Sequence, residues 1–264
     1  MLRVWRVSGE ELATIPAEIA EELGSIWALK HRLRIKNGLP VCLQQLVHMH
    51  NGCRLDDAAK PRAPMDMQLV LLSQARGFDA SRELLEAAGK GELEVVRLLL
   101  EAGASKDSTD DVITALLDAA GNGHIEMVRF LLEAGAANHL THWQGRAALI
   151  RAAARGNTEI TRLLLEAGAD KDLADEQGRT VLMWASGKGH TEVVGLLLDA
   201  GAAKDWTDRN GHTAMAWAAM AGHADVVLSL LRAGAVKDVT DQQGRTAMVH
   251  ASENGHQEIV NTLS

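Results

Sequence analysis

The chain has 264 residues, 47% of them apolar, which is enough for one or two domains with a substantial core. Six Trp, two Phe and no Tyr suit a helical stack of Ala, Leu and Val better than a sandwich or barrel. The net charge of -8 argues against a general nucleic-acid or anionic-membrane binder, and no apolar run approaches the roughly 20 residues that span a bilayer.

The opening residues alternate and then turn acidic, unlike a secretory leader. Only Cys42 and Cys53 are present, so no disulfide framework is indicated and a reducing compartment, cytoplasmic or nuclear, is expected. Leu2 to Val7 predicts a strand, Ser8 to Glu11 a turn, and Leu12 to Ile15 a second strand, together a hairpin. Ser25 reads as an N-cap before a helix whose Ile26, Leu29 and Leu33 share one face, with Gly38 and Pro40 as the stop. Leu46 to Met49, a turn at Asn51-Gly52, and Met67 to Leu71 read as later strands.

Cys42, His48, His50 and Cys53 offer thiolate and imidazole groups within a short stretch, but no paired C-x-x-C knuckle accompanies them. A buried Cys and two surface His account for them better than a zinc site. No metal or other cofactor is expected. Residues 1–77 carry a net +2 and the remainder a net -10.

The order of two strands, helix and further strands, with Gly38-Leu39-Pro40, Gln44-Gln45-Leu46, Arg54-Leu55-Asp56-Asp57 and Gln68-Leu69-Val70-Leu71, resembles ubiquitin-like β-grasp domains. That resemblance implies a small α+β domain over 1–77 and a recognition patch to which Val47 and Val70 contribute. Ser8 stands near the place where the first loop would supply leucine, which implies a weaker patch. The chain runs from Leu72 through Ser73 to Gly77 without a conjugatable diglycine tail.

From about residue 78 a period takes over. Glycine followed by His or a polar stand-in recurs at Gly91, Gly123, Gly156, Gly189, Gly222 and Gly255, and a second glycine before alanine at Gly103, Gly135, Gly168, Gly201 and Gly234. In the unit from Asp175 to Thr207, Asp175 to Gly178 predicts a turn and Thr180 caps a short helix over Val181 to Gly187. A second helix runs from Thr191 to Ala200, and its Val193, Val194, Leu196, Leu197 and Leu198 need neighbours on both sides. Ala119, Ala152, Ala185, Ala218 and Ala251 recur where helices must approach closely. This period and pattern resemble the ankyrin repeat, two antiparallel helices plus a β-turn. The implied architecture over 78–264 is an α-helical solenoid of about six repeats, the first a helical cap and the last incomplete.

The family's Thr-Pro-Leu-His appears as Thr114-Ala-Leu-Leu117, Thr180-Val-Leu-Met183, Thr213-Ala-Met-Ala216 and Thr246-Ala-Met-Val249, and as Ala147-Ala-Leu-Ile150 in the third unit, without proline or that histidine. Looser turns are the expected result. His124, His190, His223 and His256 belong to different units and read as helix-end residues. Gly187-Lys188-Gly189 lacks the following Ser or Thr and sits at a helix C-terminus, where the dipole repels phosphate. No catalytic motif appears, so no enzyme is expected, and Asp and Glu in turns read as ordinary solvated residues.

What remains is a row at the turn tips and first helices, where ankyrin-like folds bind partners. Arg146, Arg179, His212 and Arg245 follow the turn glycines. Trp184 and Trp217 stand in equivalent first-helix places, with Arg151 and His250 in the flanking units and Trp143 and Trp206 in turns. Trp and Arg are favoured at interface hot spots, although Trp184 and Trp217 also fit packing between units. The expected function is a non-enzymatic protein-interaction scaffold whose partner carries acidic groups around an apolar centre. A ubiquitin-pathway adaptor is the alternative.

Overall fold

The computed structural model describes residues 2–6, 11–16, 19, 22–23, 25–37, 41, 44–48, 65–71, 78–101, 104, 109–136 and 143–264. The expected turn at Asn51-Gly52, and Cys42, His50 and Cys53, lie outside the described residues, as does the His48 side chain. Two compact units share the chain, one comprising Met1–Ala88 with Glu92–Asp111, the other Gly89–Gly91 with Val112–Ser264.

In the first unit, β1 (Leu2–Arg6) pairs antiparallel with β2 (Glu11–Ile15) and parallel with β4 (Met65–Leu71), and β4 pairs antiparallel with β3 (Gln44–His48). The sheet order is therefore β2-β1-β4-β3. Alternation puts Val4, Ala13, Ile15 and Leu46 on the face that helix α1 (Ile26–Asn37) covers with Ile26, Leu29 and Leu33, all buried. The Ser25 hydroxyl accepts from the Ala28 amide at 3.2 Å, the cap that starts α1.

Helix α2 (Phe78–Lys90) as far as Ala88, and α3 (Leu93–Glu101), also belong to this unit. Arg34, buried on α1, meets Glu92 at 2.6 Å and Glu83 at 3.4 Å. Burial alone would lower the Arg34 guanidinium, but its hydrogen bond to Glu92 and the nearby Glu83 and Glu86 hold it above its ordinary value. Glu83 also accepts from the Val41 amide at 2.6 Å.

The helices beyond α3 run in pairs: α4 (Thr109–Asn122) with α5 (Ile125–Glu133), α6 (Trp143–Ala154) with α7 (Thr158–Glu166), and α8 (Val181–Lys188) with α9 (Thr191–Asp199). Then come α10 (Ala214–Ala221) with α11 (Ala224–Arg232) and α12 (Ala247–Glu253) with α13 (Gln257–Leu263). Thr180, Thr213 and Thr246 start their helices by accepting from the amides of Met183, Ala216 and Val249. Ala119, Ala152, Ala185, Ala218 and Ala251 are fully enclosed, which lets the first helices stack side by side. In α9, Val193, Val194 and Leu197 are buried completely, each contributing about 1.5–3 kcal/mol of hydrophobic stabilisation.

The helix-end histidines acquire a structural task. His124 Nε2 lies 2.9 Å from the Gly89 carbonyl, His190 Nε2 3.1 Å from that of Ala154, and His256 Nε2 3.2 Å from that of Met220. Each ring thus reaches a free C-terminal carbonyl of the preceding first helix. The glycine that ends the helix makes the room: a Cβ on Gly189 would stand 2.6 Å from the His223 ring, and Gly189 also holds φ at +76°.

Candidate functional site

The three best-defined turns share one construction. The Oδ1 atom of Asp175 accepts from the amides of Gln177 and Arg179, that of Asp208 from Asn210 and His212, and that of Asp241 from Gln243 and Arg245, all between 2.8 and 2.9 Å. The second oxygen faces side chains four and nine residues on. Asp175 Oδ2 takes Arg179 Nε at 2.8 Å and Trp184 Nε1 at 3.2 Å. Asp208 Oδ2 takes Trp217 Nε1 at 3.1 Å and faces His212 Nδ1 at 3.3 Å. Asp241 Oδ2 takes Arg245 Nε at 3.0 Å and His250 Nε2 at 2.9 Å.

These aspartates correct the sequence reading. They are not ordinary solvated residues: Asp208 and Asp241 are 6% and 7% exposed, and each organises its turn and the helix behind it. Where the missing proline and histidine led to an expectation of looser turns, the carboxylate ties the loop from inside and the tips hydrogen-bond one to the next. Arg209 donates its amide to the Gln177 carbonyl at 2.9 Å, and Gln242 its amide to that of Asn210 at 3.0 Å. Below the tips, Asp172 and Asp205 accept from the amides of Ala203 and Val236 in the next repeat.

The electrostatics follow from this geometry. Burial alone would raise the Asp175 carboxyl, but the Arg179 amide and guanidinium, with the Gln177 amide and the Trp184 indole, hold it below the usual range. Asp241 is held far below that range: desolvation opposes ionisation, and the Arg245 and Gln243 amides and the Arg245 guanidinium outweigh it.

The sequence-predicted site residues divide accordingly. Arg179 lies over the Trp184 ring, 4.2 Å from its centroid, and is half-buried. Arg179, Met183, Trp184, Gly187 and Trp217 line one open cleft. Trp217 is the wall from the next repeat, 3.3 Å from where a Cβ on Gly187 would stand. Both tryptophans therefore do two things at once, bonding their own turn and facing the cleft.

Elsewhere the row is less uniform. Arg151 is exposed and paired with Asp118 at 3.0 Å. Arg245 also reaches Glu253 at 3.3 Å. Trp206 is 52% exposed, the most open tryptophan among the described residues. His250 is 3% exposed, so it is not the surface partner contact expected, because Asp241 draws its ring inward. His212 stands between Asp208 and Asp241, 5.3 Å ring to ring from His250. Trp143 opens α6, and Arg146 lies within it; their side chains, like those of Val47 on β3 and Val70 on β4, lie outside the described residues.

The missed residues are Asp175, Asp208 and Asp241. Their signal was present as one aspartate recurring every 33 residues, three before each turn glycine.

A family model of three ankyrin repeats matches overlapping windows at residues 35–142, 84–175, 116–208, 149–241 and 182–264. A comparison with curated proteins found no match. Proteins of this repeat type are generic protein-interaction modules. Among the described residues, no helix is long and apolar enough to cross a membrane. With paired helices, capped turns and glycine stops repeating through the matched windows, the chain belongs to the ankyrin repeat family.

Proposed function

We propose that this protein is a non-enzymatic interaction scaffold whose repeats hold a protein partner at the turn and first-helix row, with the Trp184–Trp217 cleft as anchor point. The observation that carries this reading is the cleft itself: two indoles from successive repeats, one covered by a guanidinium. Its open space is about 260 Å³ even with the solvent at the mouth counted, so its enclosed part is well short of the roughly 300–1,000 Å³ of small-molecule sites. That space suits one inserted apolar side chain.

The basic row is not a free positive stripe. Arg179, Arg151 and Arg245 already meet Asp175, Asp118 and Asp241. The partner is therefore recognised first by an apolar side chain between the indoles, and second by a carboxylate competing for Arg179. Affinity purification with the full-length chain and its Trp217→Ser variant tests this: a partner should be recovered with the native chain and lost with the variant. Equal recovery of every bound protein would refute the anchor.

A ubiquitin-pathway adaptor is the second reading. The sheet order β2-β1-β4-β3, with α1 between the hairpin and β3, supports a β-grasp module over residues 1–77. Val47→Lys with Val70→Lys in the full chain should then abolish retention on immobilised ubiquitin receptors while the Trp217-dependent partner still binds.

A further inference from the structure

We propose that His212, Asp241 and His250 form a binding site for a divalent transition-metal ion of the zinc class. The site lies between the turn that precedes α10 and the turn and first helix of the next repeat. One ligand atom from each residue lies within 4.8 Å of the others, the one such group among the described residues. Asp241 Oδ2 stands 2.9 Å from His250 Nε2 and 3.6 Å from His212 Nε2. Ligands at about 2.0–2.1 Å from a tetrahedral zinc stand about 3.3–3.5 Å apart, so the two edges to Asp241 bracket that spacing, and the two histidine nitrogens, within 4.8 Å of each other, close to it on binding.

The orientation of His212 is what distinguishes this cluster from an ordinary ion-pair group. Its Nδ1 faces Asp208 Oδ2 at 3.3 Å, and the Trp217 indole holds that same carboxylate at 3.1 Å. With the proton on Nδ1, the tautomer that the Asp208 carboxylate behind it favours, the Nε2 lone pair points forward, the outer-shell arrangement of metal-binding histidines. That Nε2 is buried and has no hydrogen-bond partner. Its 3.6 Å distance from Asp241 is too long for a direct hydrogen bond. In that tautomer two acceptors face each other across a buried gap, which a cation between them would satisfy.

The preceding repeat step supplies an internal control. There the same three positions hold Arg179, Asp208 and Trp217, and neither guanidinium nor indole ligates a metal. Only one repeat later do two imidazoles flank the carboxylate. Two nitrogens and one oxygen, with the fourth position left to water, suit zinc among the divalent ions. Arg245 Nε competes for Asp241 Oδ2 at 3.0 Å, and Glu253 at 3.3 Å offers its guanidinium a second partner. His250 Nε2 now donates to Asp241, so metal binding expels that proton to solvent or moves it to Nδ1, and binding weakens as the pH falls.

The test uses the full-length chain stripped with chelator and titrated with Co²⁺, then Zn²⁺. One Co²⁺ per chain is expected, with the visible absorption of a four-coordinate site that Zn²⁺ displaces. His212→Arg and His250→Trp place in this repeat the residues that Arg179, Arg245, Trp184 and Trp217 show to be compatible with the fold. Both should keep the native circular dichroism and weaken metal binding by at least about tenfold. Cys42→Ser with Cys53→Ser should change nothing. The proposal is overturned if the native chain shows no saturable binding, or if both histidine variants bind as the native chain does. Loss of binding in the cysteine variant alone overturns it equally. So do His212 ring resonances that neither metal shifts.

Discussion

The cleft between Trp184 and Trp217 and the cluster of His212, Asp241 and His250 occupy successive steps of one frame. In both, a turn aspartate takes two amides on one oxygen and side chains from four and nine residues on with the other. The backbone is the same and only the side chains differ. Arg179 and Trp217, on either side of one step, give an open indole-walled cleft; His212 and His250, in the same two places one repeat later, give a buried ionisable group. The repeat thus fixes where a side chain points, and its identity decides whether the position recognises a partner or gathers polar atoms inside.

The largest effect should come from breaking the frame on which both steps depend. Gly211 holds φ at +89°, and a Cβ there would lie 2.9 Å from Asp241 Cα, backbone that cannot yield cheaply. Gly211→Val should cost about 3–4 kcal/mol in urea unfolding. Gly201 also has a positive φ, +78°, but its nearest neighbour is the Lys171 side chain at 3.9 Å. Gly201→Val should therefore cost less, about 1–3 kcal/mol. Equal midpoints for the two variants would show that inter-repeat turn contact adds nothing to the frame.

The aspartates come next. Asp241→Ala should lower the thermal midpoint by several degrees, and more than Asp175→Ala, because its carboxylate is more enclosed. The pH profile follows from the sign of the shifts. Both carboxyls are held below their unfolded values, so the stability they confer is fully present above about pH 4 and is lost as the pH falls toward the folded values. Asp175→Asn and Asp241→Asn should flatten that acid limb. An unchanged limb would show that other carboxyls govern acid unfolding.

Trp217→Ala should weaken the partner by about 2 kcal/mol and lower stability slightly, since the indole also bonds Asp208. Titration calorimetry and thermal melts separate the two effects. The smallest effect is reserved for Arg179→Ala, about 1 kcal/mol or less in affinity, mostly as a slower association that added salt masks. A larger loss, insensitive to salt, would mean that Arg179 acts by covering the Trp184 ring.

The period of Gly123, Gly156, Gly189 and Gly222, the caps at Thr180 and Thr213, and the enclosed alanines were all legible in the chain because they express local backbone needs. So was the apolar face of Ile26, Leu29 and Leu33, which a helical period displays directly. The tryptophans of the cleft were legible as a row, but whether they packed or faced outward was not. Exposure is set by the neighbouring repeat, and Trp217 both bonds its turn and walls the cleft.

The inward turn of His250 and the orphan Nε2 of His212 were invisible for a related reason: they sit 38 residues apart in sequence. Only stacking sets their rings 5.3 Å apart. The sequence by itself determined the repeat, its helices and their stops, because propensity, capping and periodicity act within a few residues. The tertiary structure alone decided which carboxylates were buried and which imidazoles met, because desolvation and electrostatics depend on what the next repeat places alongside.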